Sequence, residues 1–330
     1  MAARRRPALL PVPSVVDAAR IAEWEPSIVR YARFERQYDG TMADDLRDFR
    51  APIDLHTHSR MSDGTQSPEE LVRSAAGVGL GTVALTDHDT TAGWTDAAAT
   101  ASEIGITFIP GIELSTRYGW QSVHMLGYLF DPADEPLTAE LERIRSARLT
   151  RAESIVERLS ADFDLTWDDV LAHAAPGAAV GRPHIADALV TKGLVPDRSA
   201  AFATLLHPRG GYYEPLYSPT PLDGVRLIRA AGGVPVLAHP ATRGRDRIIK
   251  DVYLRRLIDS GLAGFEIDHR ENTDDGKAEL RRIAAEHDLV LTGSSDHHGE
   301  GKPNRLGENT TSPQALERIL DESAYLARGV

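Results

Sequence analysis

The chain has 330 residues, 42% of them hydrophobic and 26% charged, which suits a globular core in one large domain or two ordinary ones. With 37 basic against 49 acidic side chains the formal charge is −12. That argues against a general electrostatic grip on nucleic acid, although metals and a few arginines can reverse the sign locally for a small anionic substrate. No cysteine is present, which excludes disulfides, zinc fingers, iron–sulfur clusters and thiol nucleophiles, so any metal must be held by His and carboxylates.

The start, MAARRRPALLPVPSVV, is basic with a short apolar run. Prolines break the run and no clear cleavage site follows, so it reads as a flexible arm and not a signal peptide. No stretch has the length of an apolar membrane span, and a soluble, cytoplasmic protein is expected. Residues 1–50 are predicted to form a helical extension packed on the domain. From Ile53 short apolar runs alternate with helical patterns. Strands are predicted near 52–56, 82–86, 106–113, 121–128, 233–238, 263–267 and 289–294. Helices are predicted at about 68–77, 95–104, 222–231, 249–259 and 275–287. Such alternation reads as a parallel α/β sheet or barrel built from 51–131 and 221–330. It stops over residues 132–220, which read as an inserted helical subdomain. The row Arg143, Arg145, Arg148 and Arg151 on its first helix reads as a solvated face.

Metal-ligand chemistry recurs at the ends of the predicted strands. The first delivers His56 and His58, two apart and therefore on one side of an extended chain, followed by Asp63 in a Ser62-Asp63-Gly64 turn. The second ends in Asp87-His88-Asp89, the third delivers Glu113, and the fourth carries His124. The fifth ends in His239-Pro240 and the last in Asp296-His297-His298. In parallel barrels one face collects the strand ends and their loops into a site. Hard oxygen and borderline nitrogen donors without thiolate suit Mn²⁺, Fe²⁺ or Zn²⁺. Nine ligands are too many for one ion, so two or three divalent metals are expected, with Glu113 as a bridge. Closely spaced metals suit phosphoryl transfer to water. Glu113, Asp296 and His239 are the residues expected to carry catalysis. Asp87 and Asp89 are expected to orient His88 from behind, and His269, just after a strand end, can touch the site although the pattern does not require it.

The ordered motifs DLHTH, SDG, LTDHD, GIEL, VHMLGY, LAHP and SSDHH, over residues 53–298, resemble the PHP (polymerase and histidinol phosphatase) superfamily. The resemblance implies a distorted (β/α)7 barrel, TIM-like, with a trinuclear metal site. It implies one metal on His56, His58, Glu113 and Asp296, a second on Glu113, His124 and His239, and a third on Asp63, His88 and His298. The insert and the GRPHIA and AHPA segments look like the branch of small nucleotide phosphoesterases, which includes nucleoside 3′,5′-bisphosphate phosphatases and 5′→3′ exonucleases on short RNA. It implies phosphate contacts from Arg182, His184 and a basic residue after His239-Pro240, either Arg243 or Arg245. The expected reaction is attack of a metal-activated hydroxide on phosphorus in a small nucleotide or the 5′ end of a short RNA. A histidinol-phosphate-type phosphatase is the alternative. An amidohydrolase is disfavoured because no predicted strand ends in Lys. No extended nucleic-acid surface and no membrane partner are expected, and the oligomeric state is left open.

Overall fold

The computed structural model describes residues 46–176, 178–242, 249 and 251–328. Nearly all of the predicted helical extension, residues 1–45, lies outside them, as do Arg243 and Arg245.

Seven strands form one sheet in chain order: β1 (Ile53–Asp54), β2 (Thr82–Leu85), β3 (Thr107–Tyr118), β4 (Gln121–Tyr128), β5 (Val234–Leu237), β6 (Gly264–Asp268) and β7 (Val290–Gly293). The two outer strands meet just beyond their assigned ends. The Asp296 amide donates to the His56 carbonyl at 2.9 Å and the His58 amide to the His297 carbonyl at 2.8 Å. The sheet thus closes into a nearly complete barrel, and its seam is made by the backbone of the residues expected to bind metal.

Strands β1, β2 and β3 run parallel, as do β5, β6 and β7, but β4 pairs antiparallel with both β3 and β5. An all-parallel barrel is therefore corrected at one strand. The physical reason is the short turn at Gly119–Trp120: two residues can join only antiparallel neighbours, because a parallel return needs a crossover. Gly119 supplies the left-handed backbone (φ 61°) that the turn requires.

The outer helices begin where polar caps and prolines dictate. Helix α1 (Pro68–Gly77) has a capping box between Ser67 and Glu70 and proline in its first turn. Helix α2 (Trp94–Ile104) ends at left-handed Gly105. Helix α3 (Glu135–Ser160) is capped by Asp134 and opens the inserted stretch. It continues through α4 (Trp167–Leu171), α5 (Arg182–Thr191) and α6 (Arg198–Ala203). The barrel resumes with α7 (Pro221–Ala230), α8 (Asp251–Asp259), α9 (Asp274–His287) and α10 (Pro313–Glu322).

Helix α3 links two hydrophobic clusters. Its first half, with Leu137, Leu141 and Ile144, joins the barrel core around Ile112, Met125, Val236 and Phe265. Its second half, with Ala152, Ile155 and Leu159, packs with Leu165, Val170, Ile185 and Leu189 in a separate core within the insert. Burying each large aliphatic side chain is worth roughly 1.5–3 kcal/mol, so the spine of α3 is anchored at both ends. Among the described residues no helix is long and apolar enough to cross a membrane.

Candidate metal centre

Each ligand is delivered by a different local device. The β1 extension places the His56 and His58 rings, both fully buried, with their Nε2 atoms 3.0 Å apart. The turn that returns Asp63 is tight: a Cβ on Gly64 would lie 2.3 Å from the His58 carbonyl oxygen, so only glycine fits. Asp87 ties this turn down, accepting from the Ser59 amide (2.8 Å), the Ser59 hydroxyl (2.6 Å) and the Ser62 hydroxyl (2.5 Å). Asp89 accepts from the Ser115 amide at 2.7 Å and from Arg148 Nε at 2.7 Å. The expectation that this flanking pair orients the His88 ring is corrected: both carboxylates brace neighbouring chain segments.

Asp89, His239 and Asp296 all have left-handed backbones, with φ of 55°, 31° and 55°. Such conformations cost of order 1–3 kcal/mol each in non-glycine residues and persist where surroundings enforce them. Here they turn the chain sharply where it leaves β2, β5 and β7.

Glu113, in the middle of β3 and almost fully buried, is the hub. Its Oε1 lies 2.7 Å from His124 Nδ1 and 3.0 Å from His239 Nε2. Its Oε2 lies 3.2 Å from His56 Nε2, 3.1 Å from His58 Nε2 and 3.3 Å from His88 Nδ1. Asp296 Oδ1 is 3.4 Å from His56 Nε2 and 3.3 Å from His58 Nε2. Asp63 closes the other side, with His298 Nε2 at 3.1 Å from its Oδ1 and His88 Nε2 at 3.8 Å from its Oδ2. Three groups of potential ligand atoms, each within 4.8 Å of one another, result: His56, His58, Glu113 and Asp296; His58, Asp63, His88 and His298; and His88, Glu113 and His124. His239 joins through Glu113. The structure thus gathers all nine residues singled out as ligands, with His88 facing Glu113 through one ring nitrogen and Asp63 through the other.

This donor set fits divalent metals. Ligand atoms about 2.1 Å from a tetrahedral centre are separated by roughly 3.4 Å, close to the spacings around His56, His58, Glu113 and Asp296. Buried His88 Nδ1, Asp296 Oδ1 and His298 Nε2 have no hydrogen-bond partner among the described residues, although such atoms are costly to leave unpaired. The tautomers agree. His56 Nδ1 is 2.8 Å from Glu266 Oε1, and His298 Nδ1 is 2.8 Å from the Asp296 carbonyl. Each Nδ1–H therefore donates outward, which leaves Nε2 as the nitrogen turned inward to serve a cation.

The electrostatics of the protein without metal point the same way. Burial would raise Asp63, Glu113 and Asp296, yet the surrounding imidazoles, joined at Asp296 by Lys302, hold all three well below the usual carboxylate range. Burial lowers His88 and His239, and burial with the nearby His58 and Lys302 charges takes His298 to about 4. Burial would also lower His56 and His58, but the carboxylates outweigh it, lifting His56 well above its ordinary value and His58 to about 9. The two imidazoles thus hold protons that a cation must displace.

Several contributors are invisible as motifs. Glu266, fully buried on β6, accepts from His56 Nδ1–H and, at 2.8 Å, from the His239 amide. His269 Nε2 lies 3.4 Å from Asp296 Oδ2, so it does reach the site. Lys302 Nζ is 2.8 Å from the same oxygen. Glu266 sits in GFEID, an unremarkable strand, and Lys302 in a loop; their only sequence signal is proximity to a strand end. His297 turns away, with Nδ1 2.8 Å from the Asn304 carbonyl and Nε2 3.1 Å from Gln66 Oε1.

The arginine row of α3 is mixed. Arg143 is exposed, but Arg145 donates to the Asp89 carbonyl at 3.0 Å and Arg148 also reaches the Ser115 hydroxyl at 2.5 Å. A wholly solvated face is therefore corrected for Arg145, Arg148 and Arg151, the last donating from Nε to the Glu214 carbonyl at 2.5 Å, because the chain after β2, Ser115 of β3 and the segment after α6 come up against the helix. Arg182 donates to the Leu206 carbonyl at 3.3 Å, with its guanidinium 5.1 Å from the Phe202 ring and 5.6 Å from the Tyr213 ring. His184 is buried, and its Nδ1 accepts the Gly181 amide at 3.1 Å, capping its own helix. Neither lines the cavity of about 790 Å³ over the centre, which is walled by His88, Glu113, His124, His239, Asp296 and loop residues including Arg270 and Lys302.

A nearly closed α/β barrel with clustered imidazoles and carboxylates beneath an open cavity is a site suited to metal-dependent hydrolysis. Residues 54–160 match the PHP domain. The 3′,5′-nucleoside bisphosphate phosphatase of Chromobacterium violaceum is 34% identical over 275 residues, covering 82% of this chain and 96% of its own. The 5′-3′ exoribonuclease of Haemophilus influenzae is 34% identical over 262 residues, 78% and 93% of the two chains. A solved Bifidobacterium adolescentis protein, assigned as a metal-dependent phosphoesterase, superposes with a TM-score of 0.80 at 44% identity, covering 82% of this chain and 96% of that one. The chain belongs to the PHP family.

Proposed function

We propose that this protein hydrolyses a phosphate ester of a small nucleotide, a nucleoside 3′,5′-bisphosphate, or the 5′ end of a short RNA. The observation that carries the reading is the division of Glu113, one oxygen among His56, His58 and His88 and the other between His124 and His239. That is the arrangement of a carboxylate shared between two cation positions. The names of the two relatives supply the substrate class, and a cavity of about 790 Å³ suits a nucleotide.

Two or three divalent ions, Mn²⁺ first with Fe²⁺ and Zn²⁺ as alternatives, would be held by His56, His58, Asp63, His88, Glu113, His124, His239, Asp296 and His298. When bound, such ions supply Lewis acidity and an activated water. The chain's own part is positional. Glu266 fixes the His56 tautomer and the His239 backbone, and Asp87 holds the Asp63 turn. Arg182 is the insert's proposed contact for a second substrate phosphate. Beside it, burial and then the Arg182 charge lower Arg151 to about 9, a concentration of positive charge that an anion would relieve. His184 is held below its ordinary pKa by burial, against the opposing charges of Asp63 and Asp187.

The test is an assay of purified protein with Mn²⁺ against 3′-phosphoadenosine 5′-phosphate, short oligoribonucleotides and histidinol phosphate. Metal-stimulated release from either nucleotide class is expected. Release from histidinol phosphate alone would move the protein to that branch, and no release from any of the three would end the phosphoesterase reading.

A further inference from the structure

Asp296 divides its two oxygens. Oδ1 faces His56 and His58, whereas Oδ2 faces Lys302 Nζ at 2.8 Å and His269 Nε2 at 3.4 Å. Lys302 stands six residues after Asp296, in the loop that follows β7, and its side chain is 38% exposed. It also belongs to the cavity wall, together with Arg270. Arg270 is turned toward Glu308 and Asn304, with Nε 3.1 Å from Glu308 Oε1 and Nη1 3.5 Å from Asn304 Oδ1, contacts that take two of its five N–H donors. An ammonium carries three N–H donors. One is spent on Asp296, and among the described residues no other partner of Lys302 is recorded.

We propose that Lys302 is a further residue of the catalytic centre: one N–H locks Asp296 with a single oxygen turned to the ligand group, and the others bind phosphoryl oxygens of the substrate. Two features of its placement carry this. The lysine reaches Asp296 from the cavity side, so an anion seated over the ligand group meets it directly. Second, of the two cationic side chains that the described residues place on the cavity wall, Arg270 pairs with Glu308, whereas Lys302 pairs with a ligand residue, Asp296. A charged donor placed where negative charge accumulates in the transition state stabilises it with no reorganisation at the moment of reaction. The class of ligand is a phosphate monoester or diester dianion or monoanion.

The inference rests on the phosphoesterase reading only for the turnover arm of its test. Lys302→Met and Lys302→Arg would be compared with the unaltered protein in three measurements: Mn²⁺ binding to the metal-free protein, inorganic phosphate binding to the Mn²⁺-loaded protein, and kcat and KM. Loss of the ammonium removes a positive charge that opposes cation entry, so Mn²⁺ should bind Lys302→Met as tightly as before or more so. Phosphate affinity should fall about tenfold or more, and kcat/KM by roughly 10²–10³, with Lys302→Arg recovering much of both. Unchanged phosphate affinity in Lys302→Met would overturn the proposal. So would a variant whose only defect is lost Mn²⁺ binding, since that marks a purely structural lysine. If the unaltered protein hydrolyses none of the nucleotides, the functional reading fails, while a phosphate affinity that depends on Lys302 would still establish the anion site.

Discussion

Glu113 and Glu266 are two buried carboxylates in one centre, with different work. Glu113 faces five imidazoles and, among the described residues, is the carboxylate touching both halves of the ligand cluster. Glu113→Gln should leave the fold intact by circular dichroism and reduce metal-dependent turnover by several orders of magnitude. Loss of a single neutral stabilising donor already costs about 10²–10³ in enzymes; turnover within tenfold of the original would remove Glu113 from the bridging position. Glu266 touches no cation position directly, acting through His56 Nδ1 and the His239 amide. Glu266→Gln should weaken Mn²⁺ binding by roughly 10–100-fold, the usual effect of losing a carboxylate behind a ligating imidazole. Equilibrium binding of Mn²⁺ followed by electron paramagnetic resonance reads this without any assay of turnover. Glu266 was not legible in the sequence because nothing in GFEID distinguishes a supporting carboxylate from an ordinary strand residue. His56, His58, His88 and His298 were legible because histidines cluster at successive strand ends, a pattern with no packing explanation.

At the scale of elements, one contact that couples insert to barrel is the ion pair of Arg148 on α3 with Asp89 after β2. Asp89 is fully buried and the Arg148 side chain is 12% exposed. Truncating the arginine leaves a buried carboxylate facing only the Ser115 amide and hydroxyl, so Arg148→Ala should cost roughly 3 kcal/mol or more of stability, measured by urea unfolding. A cost below about 1 kcal/mol would mean that the pair is solvent-screened and does not hold α3. His88 is the residue before Asp89, so activity should fall as well. From sequence this arginine looked like one member of a hydrophilic stripe. Its role depends on the hairpin β3–β4, whose antiparallel return hid in a pattern that otherwise alternates strand and helix. The short turn at Gly119–Trp120 was the available signal, since two residues between strands exclude a parallel crossover.

For the whole molecule, metal and protons compete for one set of buried groups. His58 is raised to about 9, so without metal its contribution to stability is complete below its ordinary value of 6.5 and is lost as pH rises through about 9. Glu266 is lowered to about 2 against burial, chiefly by the His56 charge, so its contribution is present above 4.5 and lost as pH falls through about 2. The chelated protein should therefore melt at progressively lower temperature between pH 6.5 and 9. Over the same interval Mn²⁺ affinity should rise, because fewer protons must be displaced. Differential scanning calorimetry with chelator and with Mn²⁺ checks both. Added Mn²⁺ should raise the melting temperature, since a ligand that binds only the folded state stabilises it by mass action, and the gap should widen toward pH 9. A gap that does not change with pH would show that His56 and His58 carry no displaceable protons.

The amino-acid sequence alone determined the barrel class, the positions of its strands and of the outer helices other than α10, and the nine ligand candidates. These are set by local rules: apolar periodicity, caps and prolines, and the chemistry of residues at strand ends. The tertiary structure decided what depends on which segments meet. It reversed β4, buried Arg145 and Arg148 against the barrel, set Arg182 and His184 off the cavity wall, and brought Glu266, His269 and Lys302 to the centre. The physical reason is that a ligand motif is written in neighbouring residues, whereas charge compensation and orientation come from side chains distant in the chain, which only closure of the barrel brings within a few ångströms.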